Sequence, residues 1–377
     1  MSFPRADEAM TRLPRVVDLL AARADEHDRE GAFPYQGIEE VHAAGLLTLT
    51  VSAEYGGAGA GLAETVHLLS ALGSGDPSVA LLAGDTLLAH EAQARTGRWP
   101  VEAYRALLTD SRRGPALVGL LPPGGPGSEA GAEVTAQQTA EGWQLTGREH
   151  GVPGAEALAW LVVAADTEAD ADTDTDAEAE AVAGTAEVNG DDTAAAHGQA
   201  VFLLPGDTPG LLVEPGSEQL GLRAGANQDV HFEKVLLDAA YRLPPPDARD
   251  EAGRRLAAAA ICLGIARAAR AWLVRHVKGL SKLDRGALEL ELIAAEELLT
   301  GLAVAVDAAR PGADRRARLL APRVADLALA VVHRSVALAG PAGLHRTVPL
   351  ERHLRDGLTT RALLPTGAPL LRAAAES

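Results

Sequence analysis

The chain has very little of several things that usually define a protein's class. It carries one cysteine, Cys262, in 377 residues, so no intrachain disulfide can form and a reducing compartment is expected. Cys262 lies in the run Leu256-Ala-Ala-Ala-Ala-Ile-Cys262-Leu-Gly264, where a thiol reads as a small buried hydrophobe and not as a nucleophile. Aromatic residues make up 3% of the sequence against 47% apolar residues overall, many of them alanine and leucine. Such a composition disfavours an aromatic-rich β sandwich and favours close helix packing. No basic stripe exists that would attract nucleic-acid phosphates. The eleven histidines include no His-Glu-x-x-His or comparable spacing, so no metal site is expected. The longest apolar stretch, Leu256 to Val274, is broken by Arg267 and Arg270, which argues against a membrane span. The N-terminal Met-Ser-Phe-Pro-Arg lacks the basic-then-apolar layout of a secretory signal. The expectation is a soluble cytoplasmic protein with neither a nucleic-acid nor a membrane partner.

What is present divides the chain into three. The length allows an ample core in one large or several ordinary domains. Residues 1–113 read as a helical domain, with apolar residues at three-to-four spacing over Ala9–Asp28, Tyr35–Gly45, Leu62–Gly73 and Pro100–Ser111. Residues 114–240 read as a β domain of short apolar or alternating segments: Ala116–Leu121, Glu133–Gln138, Gly142–Thr146, Ala159–Ala164, Ala200–Leu204, Gly210–Glu214 and Val230–Leu236. From 241 to 377 the helical period returns, with Arg254–Val277 and Leu288–Ala309 as long apolar helices. More than half of the net charge of −18 comes from eleven acidic residues between Asp166 and Asp192, a stretch without one basic residue. Its alternation of Asp and Thr with Ala cannot bury enough apolar surface to offset chain ordering, so 166–199 is expected to be a disordered insertion. It has no glycine where an EF-hand calcium loop would need its sharp turn.

Five local motifs then occur in a telling order. Phe33-Pro34 is followed by Ile38, Val41 and Gly45-Leu46. Glu54-Tyr55-Gly56-Gly57-Ala-Gly59 comes next, then Asp76-Pro-Ser78, Leu220-Gly221-Leu-Arg223-Ala224, and finally Leu338-Ala-Gly340-Pro-Ala-Gly343-Leu with Pro349-Leu-Glu351-Arg352-His-Leu-Arg355-Asp356. Together they resemble the acyl-CoA dehydrogenase flavoproteins over nearly the whole chain. The resemblance implies a mainly α fold with a central β domain: an N-terminal helical domain, a small β barrel-like domain and a C-terminal four-helix bundle.

The same resemblance implies FAD as cofactor. In the family a Thr-Glu-Pro-x-x-Gly-Ser-Asp loop holds the flavin; here Pro122-Pro-Gly124-Gly125-Pro-Gly127-Ser128-Glu129 stands in its place, which makes Gly125, Gly127 and Ser128 candidate cofactor contacts. Glycines let backbone amides approach a ligand, and a hydroxyl can donate to a phosphate oxygen. The family's Trp-x-Ser or Trp-Ile-Thr hairpin is replaced by Gly151-Val152-Pro153. Backbone groups of Gly151 and Val152 remain candidates, whereas Pro153 has no N–H to offer. Gly340 and Gly343 keep part of the glycine turn, and Arg255 matches a recurrent arginine assigned to substrate. At the adenosine end, His276-Val-Lys278 replaces the family's Arg-x-x-Phe-Gly.

The catalytic carboxylate is missing. Desaturating an acyl thioester needs a base near the α-proton while hydride leaves to the flavin. The family places that glutamate about nine residues after its Arg-Asp pair, where this chain reads Leu363-Leu364-Pro365-Thr366-Gly367, or on the first long C-terminal helix, at the position of Arg254. Glu251 is the nearest carboxylate to the second position. Arg352, Arg355 and Arg361 are candidates for anion contacts, and His345 and His353 for proton transfer. Three functions follow: a divergent flavin-dependent oxidoreductase acting on CH-CH groups of an acyl thioester or related small substrate, a flavin-dependent monooxygenase of the same fold, or a non-catalytic partner subunit of a mixed oligomer. Because the family assembles through its C-terminal helices, a homo- or hetero-oligomer is implied.

Overall fold

A computed structural model describes residues 3–121, 133–167 and 198–375. The first helices are α1 (Ala6–Glu30), α2 (Tyr35–Ala43), α3 (Leu62–Gly75), α4 (Pro77–Thr96) and α5 (Val101–Asp110). In α1 the buried face is Leu13, Val16, Leu20 and Ala24, the stripe that a helical period projects onto a core. Asp76 starts α4, its carboxylate accepting the Ser78 N–H at 2.9 Å with Pro77 in the first turn, a strong start signal. No apolar stripe marks α4, because it is buried almost all round, from Val79 and Ala80 to His90 and Gln93.

Eight strands form one sheet in the order β6-β7-β3-β2-β4-β5-β8, with β1 beside β4. Their ranges are β1 (Leu117–Leu121), β2 (Val134–Thr139), β3 (Gly142–Pro153), β4 (Leu158–Thr167), β5 (Gly198–Pro205), β6 (Leu211–Pro215), β7 (Asn227–Leu237) and β8 (Arg242–Leu243). β1 and β4 run parallel, Leu120 opposite Val162 and Leu121 opposite Val163. β3 outruns its expected end at Thr146 by seven residues, because it shifts register against β7 between Leu145 and Gly147 and again between Glu149 and Val152. Such bulges bend a strand and re-aim its side chains. Of the acidic insertion, residues 168–197 lie outside the described residues.

The C-terminal helices are α6 (Ala248–His276), α7 (Lys282–Asp307), α8 (Ala313–Ala339), α9 (Pro349–Ala362) and the short α10 (Gly367–Ala375). Asp247 caps α6, accepting the N–H groups of Arg249 and Asp250 at 3.0 and 2.9 Å. α6 to α9 pack on one another as a bundle, and α6 also packs against α3 and α4. By length and composition α6 and the segment Ala313–Leu344 could each cross a membrane, yet both serve as bundle helices. Small residues set the approach of α3 to α6. A Cβ added at Gly264 would lie 2.3 Å from the Ser70 carbonyl oxygen, and one at Gly73 would lie 3.1 Å from that of Ile261. Cys262, also on α6, is buried, and burial pushes its thiol up to about 12.

Candidate active site

The C-terminal end of β1 is a partition. Leu120 and Leu121 line a narrow cavity of about 60 Å³ on one side and a wider one of about 100 Å³ on the other. α4 serves both: Leu81, Leu82 and Asp85 face the narrow cavity, while Leu88, Ala89 and Ala92, two turns later, face the wide one. The bulged end of β3, Glu149 to Pro153, closes the narrow cavity, and the first turns of α6 close the wide one with Asp250, Gly253 and Arg254. A larger cleft of about 290 Å³ lies between the end of α1 and β6–β7, lined by Glu30, Gly216 and Arg223 among others, and shares no residue with either.

Two carboxyl groups face the narrow cavity. Asp85 accepts the Leu120 N–H at 3.0 Å. Burial holds its carboxyl up at about 6, against the pull of that amide and of the Arg254 charge. Glu149 is buried and its Oε1 has no hydrogen-bond partner among the described residues. Burial and the nearby Glu133 charge push it to about 7, with His150 acting the other way. Near neutral pH both groups can therefore donate or accept a proton. Gly151 adopts a positive φ of 66°, the left-handed conformation that glycine takes without penalty. Its N–H donates to Asp229 at 3.0 Å, and Asp229 also binds Arg148 and His150. Burial opposes the Asp229 charge, but these donors hold its carboxyl low. Asp229 thus braces the bulge that carries Gly151 and Val152 to the cavity wall.

The wide cavity is apolar apart from one rim. Leu88, Trp99, Leu121, Val162, Val201 and Leu243 supply the walls. On the rim Arg98 pairs with Asp250 at 2.6 Å, and Arg249 pairs with Glu91 at 2.7 Å and Asp307 at 2.9 Å. Asp250 is shared with Arg95.

The candidates named from sequence are scattered. Gly151 and Val152 line the narrow cavity, whereas Gly125, Gly127 and Ser128 lie outside the described residues. Gly340 and Gly343 form the turn between α8 and α9 and line neither cavity. Arg255 also lines neither: it turns towards α8, donating to the Arg318 carbonyl at 2.8 Å and pairing with Glu251. One residue along a helix rotates a side chain by about 100°, so the preceding Arg254 is the one that reaches the cavity. Glu251 is held by Arg255 and Arg318. Although burial opposes its charge, Arg318 and Arg255 keep its carboxyl low, which removes it as a base. Arg352, Arg355 and Arg361 are each committed to carboxylates, Asp25, Asp28 and Asp326 respectively. His353 is enclosed beside Arg352, and burial together with that charge keeps it neutral; His345 is exposed on the surface. Asp85 is the residue that motif matching missed. The available signal was one carboxylate inside the apolar run from Val79 to Ala89.

Known proteins resemble this chain in sequence and fold. Residues 16–98 fit the family model "Acyl-CoA dehydrogenase, N-terminal domain". The putative acyl-CoA dehydrogenase YdbM of Bacillus subtilis is 26% identical over 92% of this chain and 90% of its own length. The L-evernosamine nitrososynthase of a Micromonospora species is 27% identical over 94% and 85%. Among solved structures, butyryl-CoA dehydrogenase from Megasphaera elsdenii superposes with a TM-score of 0.79 at 21% identity, covering 100% of this chain and 99% of that one. A helical domain, a sheet and a helical bundle meeting around two cavities at one strand end define the fold class. Residues 16–98 match an acyl-CoA dehydrogenase N-terminal domain, and over nearly its whole length the chain is similar in sequence and fold to acyl-CoA dehydrogenases.

Proposed function

We propose that the protein is a flavin-dependent oxidoreductase that oxygenates a small substrate instead of desaturating an acyl thioester. The observation that carries this reading is that neither family base position holds a carboxylate: Leu363 to Gly367 contains none, and Arg254 occupies the position on α6. The carboxylates on the wide cavity's rim, Glu91 and Asp250, are both engaged by arginines. The 27% identical relative named as a nitrososynthase supports an oxygenating member of the fold.

In this reading the polar wall of the narrow cavity meets the edge of a flavin ring. A pyrimidine edge presents both N–H donors and carbonyl acceptors, and the cavity offers the unpartnered Glu149 Oε1 together with the Asp85 carboxyl. When bound, the flavin would supply electron transfer to oxygen or accept hydride. Gly151 allows close approach of the β3 backbone, and Val152 excludes water from that wall. Asp85, anchored by Leu120 through Oδ2, keeps Oδ1 for a proton that it can hold or release near neutral pH. The sequence pointed to FAD. With His276-Val-Lys278 in place of the adenosine motif, FMN satisfies the same ring contacts without the missing half-site.

The test is the visible spectrum of the purified chain after incubation with excess FAD or FMN and desalting. Retained flavin near one per chain supports the reading. Turnover with a flavin reductase and oxygen, and no bleaching by acyl-CoA under anaerobic conditions, separates oxygenation from dehydrogenation. A protein that stays colourless with both flavins overturns the reading and favours a partner subunit.

A further inference from the structure

Arg254 differs from every other cation on the wide cavity's rim. Arg98 and Arg249 meet carboxylates at 2.6 to 2.9 Å. Arg254 has no hydrogen-bond or ion-pair partner among the described residues, although it is partly buried and lines the cavity. Two carboxyl groups feel its charge at longer range. One, Glu251, is bound to Arg255 and Arg318; the other, Asp85, faces the narrow cavity across the β1 partition. The rim carboxylates Glu91 and Asp250 are taken by Arg249, Arg95 and Arg98. Among the described residues one positive charge is left over, facing walls of leucine, valine and tryptophan.

A partly desolvated guanidinium without an acceptor is unfavourable. Its planar fork is matched by an oxyanion, which it binds through paired, charge-assisted hydrogen bonds. We infer that Arg254 is the specificity residue of the wide cavity, and that the substrate is a compact apolar molecule bearing one terminal oxyanion that docks on it. Carboxylate, sulfonate and phosphate monoester groups share this chemistry. The apolar body lies against Leu88, Trp99, Val162 and Leu243, which places its other end towards the β1 partition. The inference rests on the wide cavity being the substrate site of the proposed oxidoreductase, but the binding it predicts needs no flavin.

The experiment uses the full chain without added flavin. Hexanoate, hexane-1-sulfonate and hexyl phosphate are titrated by calorimetry, with hexan-1-ol and hexylamine as matched controls. Trp99 on the cavity wall gives a second readout through its fluorescence, checked against Trp99→Phe. At least one of the three anions is expected to bind saturably and at least tenfold more tightly than both controls, and the best of them identifies the oxyanion. Arg254→Gln should lose at least tenfold of that affinity, while Arg254→Lys should keep part of it. Because Arg254 has no partner to abandon among the described residues, Arg254→Gln should unfold at no lower denaturant concentration than the parent, which separates lost binding from lost folding. Equal binding of hexan-1-ol, unchanged binding in Arg254→Gln, or no saturable binding of any anion overturns the inference. Arg254-dependent anion binding in a chain that refuses both flavins would leave this inference standing and sink the redox reading. A chain that takes flavin but binds hexanoate independently of Arg254 would do the reverse.

Discussion

Two charged regions of this molecule are built on opposite rules. At the seam between α1 and α9 every charge has a partner. Arg352 reaches Asp25 at 2.8 Å, and Arg355 reaches Asp28 at 2.6 Å and Glu351 at 2.8 Å. Arg355 also binds the Leu220 carbonyl at 2.9 Å, and Asp356 accepts the Leu222 N–H at 2.8 Å. These residues tie the first helix, the loop before β7 and the last bundle helix together. Around β1 the rule is inverted: among the described residues neither Arg254 nor Glu149 Oε1 has a hydrogen-bond partner, and Asp85 is held by the Leu120 amide. The Arg-Asp signature that makes the family recognisable is therefore a structural clamp in this chain, and the groups free to do chemistry lie outside it. Paired charges fix geometry, whereas unpaired ones in a cavity are available to a ligand.

The comparison can be broken first at the seam. Arg352→Ala leaves the buried Asp356 without its cation, besides freeing the half-exposed Asp25, and is expected to cost about 3–5 kcal/mol. Urea unfolding measures this, and cavity binding of the anion should persist wherever the variant is folded. A loss below about 1 kcal/mol would show that the seam is not a clamp.

The cavity side is sharpened by pH. Asp85 has an ordinary value of 3.8 and a folded value of about 6, so the native state holds its proton more tightly than the unfolded chain. Its contribution to stability is present below pH 4 and lost as pH rises through 6. Asp85→Asn removes that loss and keeps an acceptor for the Leu120 amide. The variant should match the parent near pH 4 and exceed it by about 1–2 kcal/mol at pH 8, with the cavity's access to solvent reducing the full linkage value. A gap that does not change with pH would refute the burial of this carboxyl. The smallest effect is expected at Glu251→Gln, which removes two partly exposed ion pairs together worth about 1 kcal/mol. Retention of anion affinity in that variant would confirm that Glu251 belongs to the bundle and not to the site.

Architecture was largely legible in the sequence. The period of α1 and the alternation of the strands follow from which face each buries, and the Ala- and Gly-rich runs became the close contact of α3 with α6. α4 was legible only at its Asp76-Pro-Ser78 start, because a helix buried on all sides shows no amphipathic period. The site was harder to read for the same reason, since α4 carries Asp85 into it. Motif matching led to Arg255 through sequence position, while helix rotation gives the cavity to Arg254. The length of β3 depended on two bulges, marked in the sequence only by Gly147 and Gly151, which read equally well as strand ends.

The burial of Cys262 has a practical consequence. It is the sole sulfhydryl of the chain and is 2% exposed, with a proton that burial makes hard to remove. An alkylating dye would find nothing to label until α6 separates from its neighbours. The rate of labelling is then a clock for opening of the bundle, readable in the unmodified sequence with one chromophore per molecule.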